Sequence, residues 1–310
     1  MRKTVRFLLI GLILTLFVSC AKAEDNGYII TWADPVFESA VRRQIDMPEG
    51  DIRTGDIRKL KIVYIWKDMI QFNNDTVIEL DEGVTVGDVS ADLLHFENLG
   101  ALLFANMDFD NIDFVADYKK LQRIILYYND NLVDISGIRN LPKLVTVSIH
   151  NNKRLKDYSP IQDISTLLDV DLHGNNLTDI SFLEGLEKIR ILSLHTNSIE
   201  DISPLHLATN MRELDLHANK ISDISVIRNF ERVYKVRLES NAVSDLSPLA
   251  GLERLSTLML DKNALTDLTP LESLQALKKL SLEQNSLPAA DIAALRAKLP
   301  SECDIVWSAE

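Results

Sequence analysis

Leu192-Ser193-Leu194-His195-Thr196-Asn197-Ser198-Ile199-Glu200-Asp201-Ile202-Ser203-Pro204-Leu205 is the stretch that decides the fold, because 22 residues further on it comes round again. One unit places apolar residues at Ile189, Leu192, Leu194, Ile199, Ile202 and Leu205, and the next at Met211, Leu214, Leu216, Ile221, Ile224 and Ile227. Leu192 and Leu194 alternate with polar neighbours at a period of two, which predicts a short strand. Asp201 to Leu205 predicts a tight helical turn, with Ser203 as its cap and Pro204 at its first position, where a missing N–H costs nothing.

Asparagine marks the period. Asn175, Asn197, Asn219, Asn241, Asn263 and Asn285 are 22 apart, and Asn152 and Asn129 continue the series at intervals of 23. Met107 takes the same slot in a degenerate first repeat. A segment this short cannot bury its apolar face alone, so it must stack on copies of itself. Stacking lines the strands up in one parallel sheet and queues the asparagines where the chain leaves each strand. A buried amide must be hydrogen-bonded, so each asparagine is expected to reach the backbone of adjacent coils as part of a structural ladder.

The unit Leu-x-x-Leu-x-Leu-x-x-Asn-x-Ile-x-Asp-Ile-Ser-Pro-Leu resembles the repeat of the internalin-like bacterial leucine-rich-repeat proteins, over about residues 99–287. That resemblance implies an α/β fold class: a leucine-rich-repeat solenoid, or horseshoe, with a concave parallel sheet and a convex side of short 3-10 turns. A helical N-terminal cap is expected over 28–61, where Asp34 can cap a helix whose apolar face is Phe37, Ala40, Val41 and Ile45. A C-terminal cap is expected over 288–310, with Ile292, Leu295 and Leu299 on one helix face, Pro300 as its stop and Cys303 to Trp307 as a last strand. Residues 62–98 depart from the pattern. A first strand at Leu60 to Ile65 is followed by the next only 39 residues later, so the stretch around Met69 to Val86 reads as an inserted hairpin or loop.

The chain has 310 residues and a net charge of −13, which argues against a nucleic-acid partner. Arg2, Lys3 and Arg6 precede an apolar run from Phe7 to Val18, too short for the ~20 residues of a membrane span and suited to a signal peptide. Leu16-Phe17-Val18-Ser19-Cys20 resembles a bacterial lipobox, with Phe17 where that motif usually has Leu. Residues 1–19 are therefore expected to be a lipoprotein signal peptide, Cys20 the lipid attachment point, and residues 20–27 a polar tether. The expected location is the cell envelope, exported and lipid-anchored, on the outer membrane, the cell surface or the outer face of the cytoplasmic membrane. An ordinary secretory cleavage near Ala21-Lys22-Ala23 is the alternative. The other cysteine, Cys303, then has no partner and is expected to be buried at the C-terminal end.

Residues beside the strand leucines project onto the concave face and form columns about 4.8 Å per coil. One column runs Trp66, Ala105, Tyr127, His150, His173, His195, His217, Glu239, Asp261 and Glu283, and its neighbour runs Tyr64, Leu103, Ile125, Ser148, Asp171, Ser193, Asp215, Arg237, Met259 and Ser281. Three zones follow. Tyr64, Trp66, Ile125, Tyr127 and Tyr128 make an aromatic and apolar patch, of the kind that supplies binding hot spots unless the inserted hairpin or the cap covers it. His150, His173, His195 and His217 with Asp171 and Asp215 make an imidazole zone, and Arg237 and Glu239 open a mixed-charge zone. Together these are the candidate ligand-binding residues. Three readings of the imidazole zone stay open: a solvated face, a pH-responsive surface, and a divalent ion shared by His173, His195, His217, Asp171 and Asp215. The first is preferred, so no metal and no cofactor are expected. Asp179, Asp201, Asp223, Asp245 and Asp267 precede the turns one per coil and are expected to accept backbone N–H groups rather than calcium, since no EF-hand spacing is present.

No nucleophile elbow, phosphate loop, dinucleotide fingerprint or HExxH helix occurs, and no stretch is left over for a catalytic domain. The expectation is a non-enzymatic, membrane-anchored lipoprotein that binds a protein ligand through its concave face, in adhesion or host interaction. The alternatives are an envelope scaffold with a bacterial partner and a metal- or small-ligand-capturing lipoprotein.

Overall fold

The computed structural model describes residues 26–308. The expected signal peptide and the expected lipid attachment at Cys20 lie outside the described residues. The chain opens with helix α1, Pro35–Ile45, followed by strands β1 (Ile62–Trp66), β2 (Met69–Phe72) and β3 (Ile78–Glu79) and a single turn of helix, α2 (Ser90–Leu93). The coils then each contribute one strand: β4 (Ala101–Ala105), β5 (Arg123–Tyr127), β6 (Thr146–His150), β7 (Asp169–Asp171), β8 (Ile191–Ser193), β9 (Glu213–Asp215), β10 (Lys235–Arg237), β11 (Thr257–Met259) and β12 (Lys279–Ser281). Helix α3, Ala289–Arg296, and strand β13, Asp304–Val306, close the chain.

All thirteen strands form one open sheet in which β1 and β4 to β13 run parallel, while β2 and β3 extend the β1 edge as an antiparallel hairpin. The register pairs equivalent residues: Trp66 with Ala105, Ala105 with Tyr127, Tyr127 with His150. Opposite the sheet, each coil returns through a 3-10 turn such as Ser181–Leu183, Ser203–Leu207 or Ser225–Asn229. Between sheet and turns lies one continuous apolar core from Phe37 to Ile305. This is a leucine-rich-repeat solenoid.

The asparagines are spent on this stacking. Asn129, Asn152, Asn175 and Asn285 are buried. Asn152 shows the bonding: its Oδ1 accepts the Asn129 N–H at 3.0 Å, and its Nδ2 donates to the Leu126 carbonyl at 2.9 Å and the His150 carbonyl at 3.0 Å. Asn129 does the same for Met107, accepting its N–H at 3.0 Å, so the coil that lacks the asparagine still receives one bond from its neighbour. From Asn219 to Asn263 the accepted N–H shifts two residues on: Ile199, Ile221 and Val243 donate to Asn219, Asn241 and Asn263.

Two local features correct or extend the sequence reading. Ser203 does not cap its turn. Asp201 does, its Oδ1 accepting the Ser203 N–H at 2.8 Å while the serine hydroxyl donates back to the same carboxylate. Ser203 is the first residue of the turn and Pro204 the second. Asp157, Asp179, Asp223, Asp245 and Asp267 repeat the bond. In Asp157 and Asp223 the accepted backbone bond holds the carboxyl below its ordinary range. An aspartate can reach the N–H two residues on, whereas a serine already inside the turn would have to bend its chain back. The unforeseen feature is a left-handed residue just before Met107 and before each of the eight ladder asparagines: Asn106, Tyr128, Asn151, Gly174, Thr196, Ala218, Ser240, Lys262 and Gln284, with φ between 55° and 68°. Each coil turns off the sheet there, and only one of the nine is the glycine that such backbone favours.

The caps close both ends. Asp34 accepts the Phe37 N–H at 2.7 Å to start α1 and also the Gly87 N–H at 2.8 Å, which ties the inserted segment to the cap. Asp92, fully buried, accepts the Ala33 and Asp34 N–H groups; burial nonetheless pushes its carboxyl above the ordinary range. At the other end α3 buries Ile292 and Leu295, and the buried Cys303 thiol is pushed up by burial and by Asp304. Among the described residues no helix is long and apolar enough to cross a membrane.

Candidate ligand-binding face

On a parallel sheet in register, a column of like side chains stands at the strand spacing, and flat rings at that spacing stack. Tyr127 and His150 lie face to face at 5.1 Å with 3° between planes, and His150, His173, His195 and His217 continue at 4.2, 4.3 and 4.3 Å. Five coils thus present one unbroken ring stack. Tyr128 stands edge-on to Tyr127 and is about half exposed, its backbone turned outward by the left-handed position it holds.

At its N-terminal end the stack is joined to Trp66. The Trp66 indole N–H donates to the Tyr127 hydroxyl at 2.6 Å, across a coil that carries Ala105 in the column. A larger residue at Ala105 would fill the gap through which the two rings meet. Leu103 is buried between Tyr64 and Ile125. The hairpin does not roof this patch; it pairs edge to edge with β1 and leaves Tyr64, Trp66, Ile125 and Tyr127 half-buried on the open face.

At its C-terminal end the stack passes into ion pairs. Asp171 bonds the His173 Nδ1 at 2.7 Å and Asp215 the His217 Nδ1 at 2.6 Å. Arg237 then bridges Asp215 at 3.0 Å and Glu239 at 2.8 Å. Burial works against the Arg237 charge, but the Glu239 and Asp215 contacts outweigh it and hold its pKa above the ordinary value. Lys235 and Tyr234 neutralise Glu213 in the same way, the tyrosine hydroxyl donating to its carboxylate. The three zones of the sequence are therefore one continuous chain of contacts, from Trp66 to Glu239.

The electrostatics follow from crowding. Burial lowers His150 to about 4, with the neighbouring His173 adding to the effect. Burial also lowers His195, helped by His173 and His217 on either side. At Asp171 burial pushes the other way, yet the hydrogen bond and charge of His173 prevail and keep it ionised below the usual range. Asp169, half-buried and beside Asp171, is raised by partial burial, with the Asp171 charge adding to the effect. At neutral pH His150 and His195 are uncharged beside an ionised Asp171.

The candidate ion set shifts. The sequence grouped His173, His195 and His217 with Asp171 and Asp215. Among the described residues, the ligand atoms that converge within 4.8 Å of one another are those of His150, Asp171 and His173. Spacing along the chain could not separate these sets, since every histidine is one coil from the next. A cavity of about 830 Å³ lies away from the ladder, where Val86, Phe104, Phe109, Phe114 and Val133 meet Asp88.

Comparison with solved structures places the fold beside two proteins of Listeria monocytogenes. An internalin superposes with a TM-score of 0.73 at 21% identity, covering 90% of each chain. An internalin C2 superposes at 0.55 with 23% identity, covering 81% of this chain and 94% of that one. No protein-family model and no curated protein matches the sequence.

Proposed function

We propose that this protein is a recognition lipoprotein, held to the cell envelope through Cys20, that binds a protein ligand on the concave face of its solenoid. The observation that carries the reading is the continuous half-buried column from Trp66 through Tyr127 and the imidazole stack to Arg237 and Glu239. Aromatic groups fixed by their neighbours lose little freedom on binding, and Trp, Tyr and Arg dominate interface energetics. Tyr64, Ile125 and Tyr128 widen the anchor at one end. The listerial internalins share the fold, which supports a binding role by analogy only.

The test is a pull-down with the chain from Asp25 onward, whose two caps close its core, against host-cell extracts and extracts of the producing cell. A partner that is lost on Trp66→Ala or Tyr127→Ala supports the concave face. Retention by both variants refutes it. Capture from the producing cell's envelope alone would make the protein a scaffold of that envelope rather than an adhesin. Acyl labelling that survives Cys20→Ala would refute the anchor.

A further inference from the structure

We propose that His150, Asp171 and His173 form a binding site for a divalent transition-metal ion of the zinc type on the concave face. Three observations, independent of any protein partner, lead there.

The first is convergence. One ligand atom from each residue already lies within 4.8 Å of the others. A tetrahedral zinc site, with ligands about 2.0–2.1 Å from the ion, needs such atoms about 3.3 Å apart. A bound ion would have to draw the side chains over that last distance by rotation, since β6 and β7 are held in register by their shared ladder. The His150 and His173 rings are 4.2 Å apart between centroids and tilted by 20°, slightly closer and more tilted than the two later pairs at 4.3 Å and 13°.

The second is protonation state. A metal competes with protons for its ligands. Asn151 Nδ2 lies 3.2 Å from His150 Nδ1, and since an amide nitrogen only donates, that ring nitrogen carries a lone pair, which a metal would take over from the amide N–H. Only the His173 Nδ1 proton, shared with Asp171 at 2.7 Å, must yield; moving it to Nε2 leaves a neutral imidazole and an open Nδ1. No oxidant or second reactant is involved. The bonds formed are dative, from two nitrogens and one carboxylate oxygen, and a water completes the four.

The third is what distinguishes this group from its neighbours. Asp215 is shared between His217 and Arg237, so its charge is already matched. Asp171 pairs with His173 and with no Lys or Arg among the described residues, and Asp169, which feels Arg123 as well as Asp171, stands two residues before it on the same strand. A cation here relieves a repulsion between carboxylates; at Asp215 it would have to displace an arginine.

Zinc titration of the whole metal-stripped protein by calorimetry tests the site, with magnesium and calcium as controls. The expected result is one zinc per chain, no heat from the controls, and tetrahedral absorption on substituting cobalt. His173→Gln and His150→Gln should each weaken zinc at least tenfold, while His217→Gln leaves it within twofold. Circular dichroism at neutral pH keeps the test clear of misfolding, and a shift of thermal unfolding by zinc in wild type but not in Asp171→Asn gives a second readout. No zinc heat in wild type, or equal loss in His217→Gln and His173→Gln, would overturn the proposal.

Discussion

The same stacking arithmetic builds two ladders that behave in opposite ways. The asparagine ladder and the ring ladder each place one side chain per coil, a few residues apart in sequence: Asn152 follows His150 by two, Asn219 follows His217 by two. The amides turn inward, and their donors and acceptors are consumed by the backbone of adjacent coils. The rings turn outward, meet one another, a few carboxylates and the side chains of Asn151 and Thr196, and stay half-buried. Between them sits the left-handed residue that swings the chain from one face to the other. Inward polarity is obligatory because nothing else can satisfy those backbone groups. Outward polarity is free to vary, and here it has been filled with aromatic and imidazole rings.

That contrast can be broken most violently at Asn152. Asn152→Ala strips partners from the buried Asn129 N–H and Leu126 carbonyl, at about 1–3 kcal/mol for each group left unpaired. A loss of about 3 kcal/mol or more is expected in urea unfolding, and His195→Ala, two coils along on the other ladder, should lose under about 1 kcal/mol. Comparable losses would mean that the ring stack holds the fold as much as the amides do.

Next in size is affinity. Trp66→Ala should weaken a concave-face partner by about 2 kcal/mol, the usual threshold of a hot spot, while Ala105→Leu should weaken it by separating Trp66 from Tyr127. Calorimetry or surface plasmon resonance measures both.

Acid should affect the ring ladder first. His150 titrates at about 4 in the folded chain, against about 6.5 in an unfolded one. Between those values the unfolded state binds more protons, so stability is complete above about pH 6.5 and drains as the pH falls towards 4. Asp171, held low, adds a loss of the same sign further down. In metal-free buffer the urea midpoint should fall from pH 7.5 to pH 5, and less steeply in His150→Gln. An equal slope in that variant would show that His150 does not drive the acid response.

The smallest effect lies between the ladders. Ala218 holds φ of 55°, and Ala218→Gly should stabilise by about 1 kcal/mol by releasing left-handed strain. Gly174→Ala should lose about as much, since a Cβ there would also meet Asn151 Oδ1 at 2.5 Å. Urea midpoints moving in the other direction would show that the coil tolerates either backbone.

The repeat was legible because its period and its apolar offsets are properties of single residues at fixed spacing. So were the columns: register follows from the period, and counting residues is enough to put Trp66, Tyr127 and His150 on one line. What spacing could not carry was orientation. Nothing in Ser203 and Asp201 says which one reaches the backbone, and a left-handed position held by Thr196 or Lys262 has no glycine to announce it. The choice of His150 over His195 as the partner of Asp171 and His173 depends on where the ligand atoms converge, and the bridge over Ala105 depends on two side chains 61 residues apart. Both belong to packing between coils, not to the pattern within one.

The claim that the outward ladder is where a partner sits can be tested without knowing the partner. A photo-reactive amino acid placed at Ser193, on the sheet between Asp171 and Asp215, and separately at His206, on the exposed 3-10 turn opposite, would be irradiated on intact cells mixed with host cells. A concave-face partner predicts a discrete cross-linked species from the Ser193 position and none from His206. Adducts from His206 alone would contradict it.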